Sequence, residues 1–476
     1  MKTLSFYFVL FFMSCNTFAQ CYSTVVYAYD NIIARRTDGT LWARGRNSYG
    51  NGGNGTTGFL AQFVQVGTDN NWTDAISADI NNVYAIRTDG TLWVWGACYN
   101  TRYLGLGNLG DLGIIPPTQI GTATNWKAVS GSFAIKTDGT LWSWGLNFDG
   151  RLGIGNTDDT YIASTPTQMG TDSDWNTLDS GYINVAIKNN GTLWSWGSAT
   201  YNLGYPNANV NDAYASPHQV GTDTDWVMAT ISGNSGFTAC IKTNGTLWAW
   251  GKTTPFQSAY LFGNGIESYT ADAPIQIGTD TNWKMISAAV RNIIGLKTNG
   301  TRWGWGENNF YQLGMGQGMN SFVTIPTQLD SATDWKYVTN DNIGETSGSN
   351  IGIKQNNSLY YWGSLHPGGI ANRVYIPTLM GTECTLATTS FSTNAVMVYP
   401  NPATTSITIA LEKSNNNNVT EMTITNMLGQ NVFTVKNPLF EVNNQYTIDI
   451  KALQTGLYLL NINNKNKIVQ TKFIKN

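Results

Sequence analysis

Short runs of apolar residues alternate with polar turns along most of the chain. One stretch is read as four strands, Val83–Arg87, Thr91–Trp95, Thr118–Ile120 and Trp126–Val129. Asp89 and Gly90 separate the first two strands, and because both residue types tolerate a positive φ they predict a type I′ hairpin. The pattern lacks the 3.6-residue apolar period of amphipathic helices. It therefore predicts an all-β fold.

The same hairpin recurs along the chain in seven copies. They are TDGTLWARG at residues 37–45, TDGTLWVWG at 88–96, TDGTLWSWG at 137–145, NNGTLWSWG at 189–197, TNGTLWAWG at 243–251, TNGTRWGWG at 298–306 and QNNSLYYWG at 355–363. Residues 21–384 span 364 positions, so each repeat has about 52 residues. Four short strands at this period are typical of a β-propeller blade. We expect a seven-bladed propeller over residues 21–384.

Tryptophan, unusually frequent at 18 residues, follows the repeat in three columns. The columns are Trp42, Trp93, Trp142, Trp194, Trp248 and Trp303; Trp95, Trp144, Trp196, Trp250, Trp305 and Trp362; and Trp72, Trp126, Trp175, Trp226, Trp283 and Trp335. Tyr360, Arg44 and Cys21 are assigned to the seventh places. The first two columns are two residues apart on one strand and share a sheet face. We expect the columns to pack blade against blade; a glycan-binding platform is the alternative.

The first 20 residues have the order of a secretory signal peptide. Lys2 precedes the apolar stretch Leu4–Met13, and small or polar residues follow as far as Ala19 and Gln20. Such signals are removed after export, and we expect cleavage near Ala19 or Gln20. Lipoprotein processing at Cys15 is the alternative. No other apolar run has the roughly 20 residues of a membrane-spanning helix, so none is expected.

Composition changes near residue 385. Residues 385–395 are small and polar, as in a linker, and residues 396–476 contain neither Trp nor Arg. The segment 396–476 carries a net charge of +3, whereas residues 21–384 carry −7. Its predicted strands are Ser406–Leu411, Glu421–Asn426, Asn431–Val435, Tyr446–Ile450, Gly456–Ile462 and Ile468–Ile474. We expect a small antiparallel β-sandwich.

Four short motifs lie in this tail. They are Tyr399-Pro400-Asn401-Pro402-Ala403, Asn426-Met427-Leu428-Gly429-Gln430, Thr455-Gly456-Leu457-Tyr458 and Lys472-Phe473-Ile474-Lys475. Their combination resembles the type A C-terminal sorting domain of type IX secretion cargo. The resemblance implies a Bacteroidota-type bacterium, export across the outer membrane by the type IX machinery, and proteolytic removal of the tail. The product would be released or attached to surface lipopolysaccharide; an ordinary accessory sandwich domain is the alternative.

Export would leave Cys21, Cys98, Cys240 and Cys384 in an oxidising compartment. Counted from the glycines of the repeat, Cys384 falls two positions before Cys21, so the first and last segments are expected to complete one blade between them. A disulfide joining them would close the ring and constrain the unfolded chain by roughly 5 kcal/mol in the entropic model. Two free thiols are the alternative. Cys98 and Cys240 fall in distant repeats and are expected to stay unpaired.

Residues 147–155 read NFDGRLGIG, residues 308–316 read NNFYQLGMG and residues 47–50 read NSYG. With the Trp-Gly pair of each hairpin, they resemble the regulator-of-chromosome-condensation family and its motif N-x-x-G-Q-L-G-x-G, although Tyr311 replaces a glycine. The resemblance covers residues 21–384 and implies a seven-bladed propeller. The family's namesake binds chromatin and drives nucleotide exchange on a small GTPase, and a bacterial relative in this fold class inhibits β-lactamases. The net charge of −7 gives an exported propeller no electrostatic reason to hold nucleic acid.

Catalytic signatures are missing from the sequence. His218 and His366 fall in different repeats and make no zinc motif, and no P-loop, nucleophile elbow or paired-carboxylate motif is present. The turns Asp172-Ser173-Asp174 and Asp223-Thr224-Asp225 have a spacing that suggests calcium, but Asx turns explain them more simply. We expect no catalytic residue, no metal, no cofactor and a monomer.

The loops that follow the Trp-Gly pairs break the repeat and are aromatic. Their candidate binding residues are Tyr99, Tyr103, Tyr161, Tyr201, Tyr205, Tyr214, Phe256, Tyr260, Tyr269, Phe310 and Tyr311. Loops on a rigid scaffold often carry binding sites, and tyrosine is favoured at interfaces. We expect a secreted or surface-attached, non-catalytic propeller that binds an extracellular protein or glycan. The alternatives are a polysaccharide-acting enzyme with its site at the ring mouth and an inhibitor of another secreted enzyme.

Overall fold

The computed structural model describes residues 21–198, 200, 202–205, 213–232, 236–253, 260–316, 321–340, 348–364, 373–381, 384, 396–411, 419–426, 430–441, 444–464 and 467–476. The predicted signal peptide 1–20 and linker 385–395 lie outside them. The chain forms two compact units, and the division between them falls after Cys384.

The repeats form, in the described part of residues 21–384, seven four-stranded antiparallel sheets, each made of four consecutive strands. The strands of blades 1 to 7 are, in order, Tyr22–Ala28, Asn31–Arg36, Leu41–Gly45, Leu60–Gln65; Trp72–Ala78, Asn82–Arg87, Leu92–Cys98, Gly113–Gln119; Trp126–Ser130, Phe133–Lys136, Leu141–Leu146, Ile162–Gln168; Trp175–Ser180, Ile183–Lys188, Leu193–Ser198, Ala213–Gln219; Trp226–Ile231, Thr238–Lys242, Leu247–Lys252, Thr270–Gln276; Trp283–Ala288, Asn292–Lys297, Arg302–Glu307, Phe322–Gln328; and Trp335–Asn340, Ser349–Lys354, Leu359–Ser364, Arg373–Leu379. Two short 3-10 helices are Thr101–Leu104 and Phe148–Gly150.

The first strands of the blades form a closed inner ring. Each contacts the first strands of both neighbouring blades, and that of blade 7 contacts that of blade 1. Side chains join them as well: Asp179 of blade 4 accepts hydrogen bonds from Ser130 of blade 3 (3.2 Å) and from Thr230 (3.1 Å) and the Ile231 amide (3.0 Å) of blade 5. Burial raises the pKa of this carboxyl above its usual value. The predicted seven-bladed propeller is confirmed.

Two local predictions were wrong. In the hairpin of blade 2 only Gly90 takes a positive φ (77°), and its amide bonds to the Arg87 carbonyl. The turn is therefore a type I turn followed by a left-handed glycine rather than type I′. The predicted third strand, Thr118–Ile120, runs from Gly113 to Gln119 as the fourth strand of blade 2, and the predicted fourth strand, Trp126–Val129, belongs to the first strand of blade 3. A fourth strand is an outer edge, where proline is tolerated because no ladder amide is required.

The two ends of the propeller meet between blades 7 and 1, and the prediction that they share one blade was wrong. Tyr22 pairs with Arg36 as Trp72 pairs with Arg87, so Tyr22 and not Cys21 occupies the Trp position. The count from the hairpin was off by one because the first strand of blade 2 bulges, with four positions from Trp72 to Ile76 opposite two from Arg87 to Ala85.

Corrected for this bulge, Cys384 and Cys21 hold the adjacent positions that Asn70 and Asn71 hold in blade 2. Their disulfide has a Cα–Cα distance of 4.8 Å and replaces the peptide link found between the other blades. The predicted disulfide between Cys21 and Cys384 is confirmed. Cys98 and Cys240 are buried free thiols.

The Trp columns lie where blades pack. All members of the second and third columns are buried, and those of the first column are half-buried. In blade 2 the ring of Trp72 meets Trp93 edge to face (6.1 Å between centroids) and tilts against Trp95 (5.7 Å). Most of the tryptophan surface is thus used in blade packing.

Residues 396–476 form a β-sandwich in their described part. One sheet contains Val396–Tyr399, Ser406–Leu411 and Gln445–Asp449; the other contains Asn431–Lys436, Val419–Asn426, Gly456–Asn464 and Lys467–Lys475. Both contribute to one core that includes Ile407, Ile409, Met422, Leu460 and Phe473. The predicted sandwich is confirmed, and Val396–Tyr399 is an additional strand that was not predicted.

Candidate functional site

Each blade presents its turns at two ends, because neighbouring strands are antiparallel. The hairpins between strands 2 and 3 and the turns between blades lie at one end, which we name the hairpin face. The turns between strands 1 and 2 and the long loops between strands 3 and 4 lie at the other end, which we name the loop face. The predicted binding residues fall in or beside the long loops.

The long loops first serve the fold, because the described loop residues of blades 1 to 6 cover the second-column Trp of the following blade. The indole Nε1 atoms of Trp95, Trp196, Trp305 and Trp362 donate to the carbonyls of Asn51, Arg151, Leu261 and Gln312, at 2.7, 3.0, 2.8 and 2.8 Å respectively. These bonds connect neighbouring blades.

The shared loop motif explains how each loop is shaped to cover the Trp side chain. The buried Asn147 side chain accepts from the Leu152 amide (3.1 Å) and turns the loop back on itself. Gly153 follows with φ 67°, and a Cβ there would lie 2.8 Å from Nε1 of Trp196. Asn308 accepts from the Leu313 amide in the same way (3.0 Å). The motif residues are therefore structural and leave recognition to the residues between them.

An exposed apolar surface lies on the long loops of blades 2 and 3, and we name it the loop patch. Its members are Tyr99, Tyr103, Leu109, Leu112, Leu146, Phe148 and Tyr161. Leu109 and Tyr99 are the most exposed, at 68% and 62%. Large apolar side chains grouped on a surface commonly mark interaction sites.

Backbone contacts hold the blade 2 loop against the two strands of blade 3 that flank the blade 3 loop. The amide of Gly107 donates to Ser164 of blade 3 at 2.8 Å, and the Tyr103 carbonyl lies 3.0 Å from the place a Cβ would take on Gly145. The 3-10 helix Thr101–Leu104 is capped by the Asn100 side chain, which accepts from the Arg102 amide. The blade 2 loop therefore rests on the strand that ends at Leu146.

The predicted aromatics of blades 4 to 7 lie elsewhere and are half-buried. Their pairs are Tyr205 and Tyr214 (5.3 Å), Tyr260 and Phe322 (6.1 Å), and Tyr311 and Tyr375 (4.4 Å), with Arg373 beside Phe310 and Tyr311. Burial raises the pKa of Tyr205. His218 is exposed beside Tyr214. Tyr201, Phe256 and His366 lie outside the described residues. These aromatics pack over blade edges and do not join the loop patch.

Leu109, Leu112 and Leu146 were missed because only tyrosines and phenylalanines were considered as binding residues of the loops. Phe148 lies inside NFDGRLGIG and was assigned to the fold. The residue types carry no signal that separates the exposed leucines from buried ones, since Leu104 of the same loop is buried at 4% while Leu109 is exposed at 68%.

The motif residues of the tail lie around its last strand. Tyr399, Pro400, Asn401 and Pro402 are exposed, and the Tyr399 hydroxyl accepts from Gln445 (2.7 Å). Gly456 pairs with Lys475. Tyr458 stacks on Phe473 (5.6 Å).

Two family models match the chain. Residues 397–476 match the secretion system C-terminal sorting domain, and residues 138–178 match the regulator of chromosome condensation repeat. Prp20p of Saccharomyces cerevisiae has a similar fold, with a TM-score of 0.56 and 15% identity over 66% of this chain and 79% of that one. The chain therefore combines a seven-bladed propeller, in which one repeat matches the regulator of chromosome condensation model, with a C-terminal segment that matches a secretion sorting domain.

A second solved structure, human WBSCR16, gives a TM-score of 0.49 and 14% identity over 68% of this chain and 87% of that one. No curated protein matches the sequence. The sorting domain indicates secretion, or display on the outer surface, by the type IX machinery of a Bacteroidota-type bacterium. The described residues include no helix with the length and apolarity needed to cross a membrane.

The hairpin face of the propeller is regular and internally paired. In each blade a Lys or Arg at the end of strand 2 lies over the first-column ring. These cations are Arg36, Arg87, Lys136, Lys188, Lys242, Lys297 and Lys354. The amide of each third-column Trp also bonds to the carbonyl of the preceding blade's hairpin glycine, as Trp126 does to Gly90 (3.0 Å).

The acidic turns bind these cations. Lys188 Nζ lies 2.6 Å from Asp172 and 3.1 Å from Asp174. Lys242 makes the same pair of contacts with Asp223 and Asp225, at 2.6 and 3.1 Å. Burial alone would lower the pKa of both lysines, but the carboxylates raise it above the usual value. The described part of the chain contains no group of three or more potential metal ligands; these acids serve ion pairs.

Two blades depart from this pattern. In blade 3 Ala123 stands where Asp172 stands in blade 4, no described carboxylate pairs with Lys136, and burial lowers the pKa of Lys136. In blade 6 Arg302 replaces the usual Leu, is fully buried, and pairs with Asp330 (2.8 Å). Burial lowers the pKa of Arg302 to about 10.

A cavity of about 480 Å³ opens on the hairpin face between blades 2 and 3. Its charged lining residues already have partners in the chain: Asp74 binds Ser23 (2.7 Å), and Lys127 binds Asn176 (3.2 Å). Arg87 lies over Trp93 and pairs with Asp69. The loop patch therefore remains the better candidate for recognition.

Proposed function

We propose that this secreted propeller is a non-catalytic binding protein that engages an extracellular partner through the loop patch. The observation that carries the proposal is the exposure of seven large apolar residues on two adjoining loops. Most other described large rings of the propeller pack between blades or over blade edges, and the exposed exceptions Phe59, Tyr182 and Phe322 belong to blades 1, 4 and 6. Apolar side chains left in water on rigid loops gain stability when a partner covers them.

The composition of the loop patch favours a protein partner over a glycan. Sugars stack on flat aromatic rings, whereas Leu109, Leu112 and Leu146 present branched aliphatic groups that suit another protein's apolar side chains. Tyrosine adds a rigid ring with a hydroxyl at its tip, which protein interfaces favour. The solved Prp20p structure is described by its binding to Gsp1p and histones, and that precedent concerns Prp20p alone.

The full chain, secreted and purified, tests this function with a triple variant, Tyr99→Ser, Tyr103→Ser and Phe148→Ser. Pull-down from the proteins of the organism's surroundings and a glycan array are run in parallel. The matched control is Ile325→Ser with Ile376→Ser, because both isoleucines are exposed on fourth strands, at 52% and 58%, away from the loop patch.

We expect the parent chain and the control to retain the same protein partner and the triple variant to lose it. A partner retained equally by all three would contradict the loop patch, and binding to the glycan array alone would replace the protein by a glycan. If the parent chain bound nothing in either the pull-down or the glycan array, the proposed binding function would be contradicted.

We further infer that the mature chain begins at or beside Cys21 and that the tail is removed within residues 385–395. The disulfide supports these bounds, because Cys21 directly follows the predicted signal peptide and Cys384 directly precedes the predicted linker, so neither segment lies within the cross-linked ring. Intact mass and terminal sequencing of the secreted protein test both ends. Retention of residues 396–476 on the secreted product would contradict the inferred removal of the tail.

A further inference from the structure

The last strand of the sorting domain, Lys467–Lys475, has one edge paired with Gly456–Asn464 and one edge facing away from the sheet. The side chain of Asn401 covers part of that outer edge. Its Nδ2 donates to the Lys472 carbonyl (3.3 Å), and its Oδ1 accepts from the Ile474 amide (2.9 Å). The amide group thus bonds to the edge as a neighbouring strand would.

Ala403 continues this contact with its backbone. Its amide donates to the Ile474 carbonyl (2.8 Å), and its carbonyl accepts from the Asn476 amide (2.9 Å). The two residues therefore satisfy four successive backbone groups on the outer edge of residues 472–476. We name this contact the terminal clasp.

The terminal clasp contributes little to the core of the sandwich. Asn401 and Pro402 are exposed, and only Ala403 is buried. Removing the Asn401 amide would therefore leave the apolar core in place. An exposed residue that holds a distant strand by two hydrogen bonds has a positioning role, because core packing does not require it.

The clasped strand presents an outer face of mixed character. Leu457 and Ile474 are cross-strand partners, exposed at 37% and 44%. Lys472 is exposed two residues before Ile474 on the same face. The face therefore offers an apolar pair beside one positive charge, and it keeps this form only while residues 472–476 stay in the sheet.

We propose that Asn401 is a positioning residue for secretion, which fixes the last strand so that Leu457, Lys472 and Ile474 form one docking surface for the type IX machinery. The complementary surface is apolar and carries a carboxylate opposite Lys472. The motif at residues 399–403 and the motif at residues 472–475 act as one folded signal, although some 70 positions separate them. This proposal rests on the sorting domain and is independent of the loop patch.

The full chain, expressed in a bacterium with type IX secretion, provides the test. We expect Asn401→Ala to leave the protein in the periplasm, to leave the melting temperature of the propeller unchanged, and to speed amide exchange in residues 472–476 about five- to tenfold, as loss of one to two hydrogen bonds predicts. Asn463→Ala is the matched control, because it removes another amide contact within the same domain, to Glu421 (3.1 Å). The control should be secreted normally.

Two more variants separate positioning from docking. Asn401→Asp keeps the acceptor for the Ile474 amide and loses the donor to Lys472, so secretion and exchange should both be intermediate. Ile474→Asp keeps the backbone clasp and should abolish secretion with exchange unchanged.

Normal secretion of Asn401→Ala despite fast exchange would overturn the proposal. So would loss of its secretion with unchanged exchange, since Asn401 would then act by direct contact. Normal secretion of the Ile474→Asp variant would contradict the proposed docking surface.

Discussion

The hairpin face and the loop face of the propeller are built from the same seven repeats but differ in what their polar and aromatic groups do. On the hairpin face the cations lie over indole rings, and most of them pair with a carboxylate of the adjoining turn. On the loop face the backbone is fixed by buried asparagines and glycines, while side chains such as Tyr99 and Leu109 remain in water. One face is internally satisfied, and the other keeps apolar surface available.

The difference shows how a repeat can hold a ring together and still vary. The residues that recur are those that bind the next blade, so they cannot change without loss of stability. Position 148 of this loop shows the contrast: Phe148 is half exposed, and Asn309 and Ser48 stand at the matching positions of blades 6 and 1. Variation is therefore confined to the face where a partner can use it.

The largest expected effect is on the closure of the ring, which the disulfide completes on the hairpin face. Replacing Cys21 and Cys384 by Ser should lower the free energy of unfolding by roughly 5 kcal/mol, because the cross-link removes chain entropy from the unfolded state. Urea unfolding of the oxidised parent and the double variant measures the difference. A change below about 1 kcal/mol would show that inter-blade packing closes the ring unaided.

A buried Trp and an exposed loop Tyr should respond in opposite ways. Trp196→Ala removes a fully buried indole and its bond to Arg151, and should cost about 3–5 kcal/mol. Tyr99→Ala should change stability by less than about 0.5 kcal/mol. Thermal unfolding of both variants compares the buried and the exposed ring directly. Equal losses of stability would contradict the distinction between structural rings and rings left available for binding.

The buried ion pair of blade 6 should be asymmetric. Asp330→Ala leaves the Arg302 guanidinium buried without its carboxylate and should cost about 3–5 kcal/mol. Arg302→Leu restores the residue found in the other hairpins and should be close to neutral, with a change below about 1 kcal/mol. Chemical denaturation measures both, and a larger loss for the Arg302 variant would make the ion pair a net stabiliser.

The smallest expected effect concerns blade 3, where no described carboxylate pairs with Lys136. Ala123→Asp should give Lys136 the partner that Lys188 has, raise stability by about 0.2–1 kcal/mol and raise the pKa of Lys136. The gain is present below the unfolded pKa of lysine and is lost as pH rises through the folded pKa. Thermal unfolding at neutral and strongly alkaline pH tests this sign, with Asp172→Ala as the reciprocal change.

The propeller was predictable because period, turn residues and Trp columns all indicate the same strands. The sandwich was predictable because short apolar strands alternate with polar turns in residues 396–476. The ring closure was predicted with an error of one residue, since a bulge such as that between Trp72 and Ile76 leaves no mark in the residue types. The loop patch was found only in part. Tyr99, Tyr103 and Tyr161 were identified, but whether a loop ring lies in water or over a blade edge, as Tyr311 does, depends on neighbours far along the chain.

The Cys21–Cys384 link makes the propeller a covalent circle of 364 residues. Chain ends that remain beyond the two cysteines lie outside this circle, so trimming them does not open it and unfolding of the ring must start inside a blade. A single cut in an exposed loop turns the circle into a linear chain of undiminished mass. Damage from extracellular proteases therefore stays invisible by size until the link is reduced.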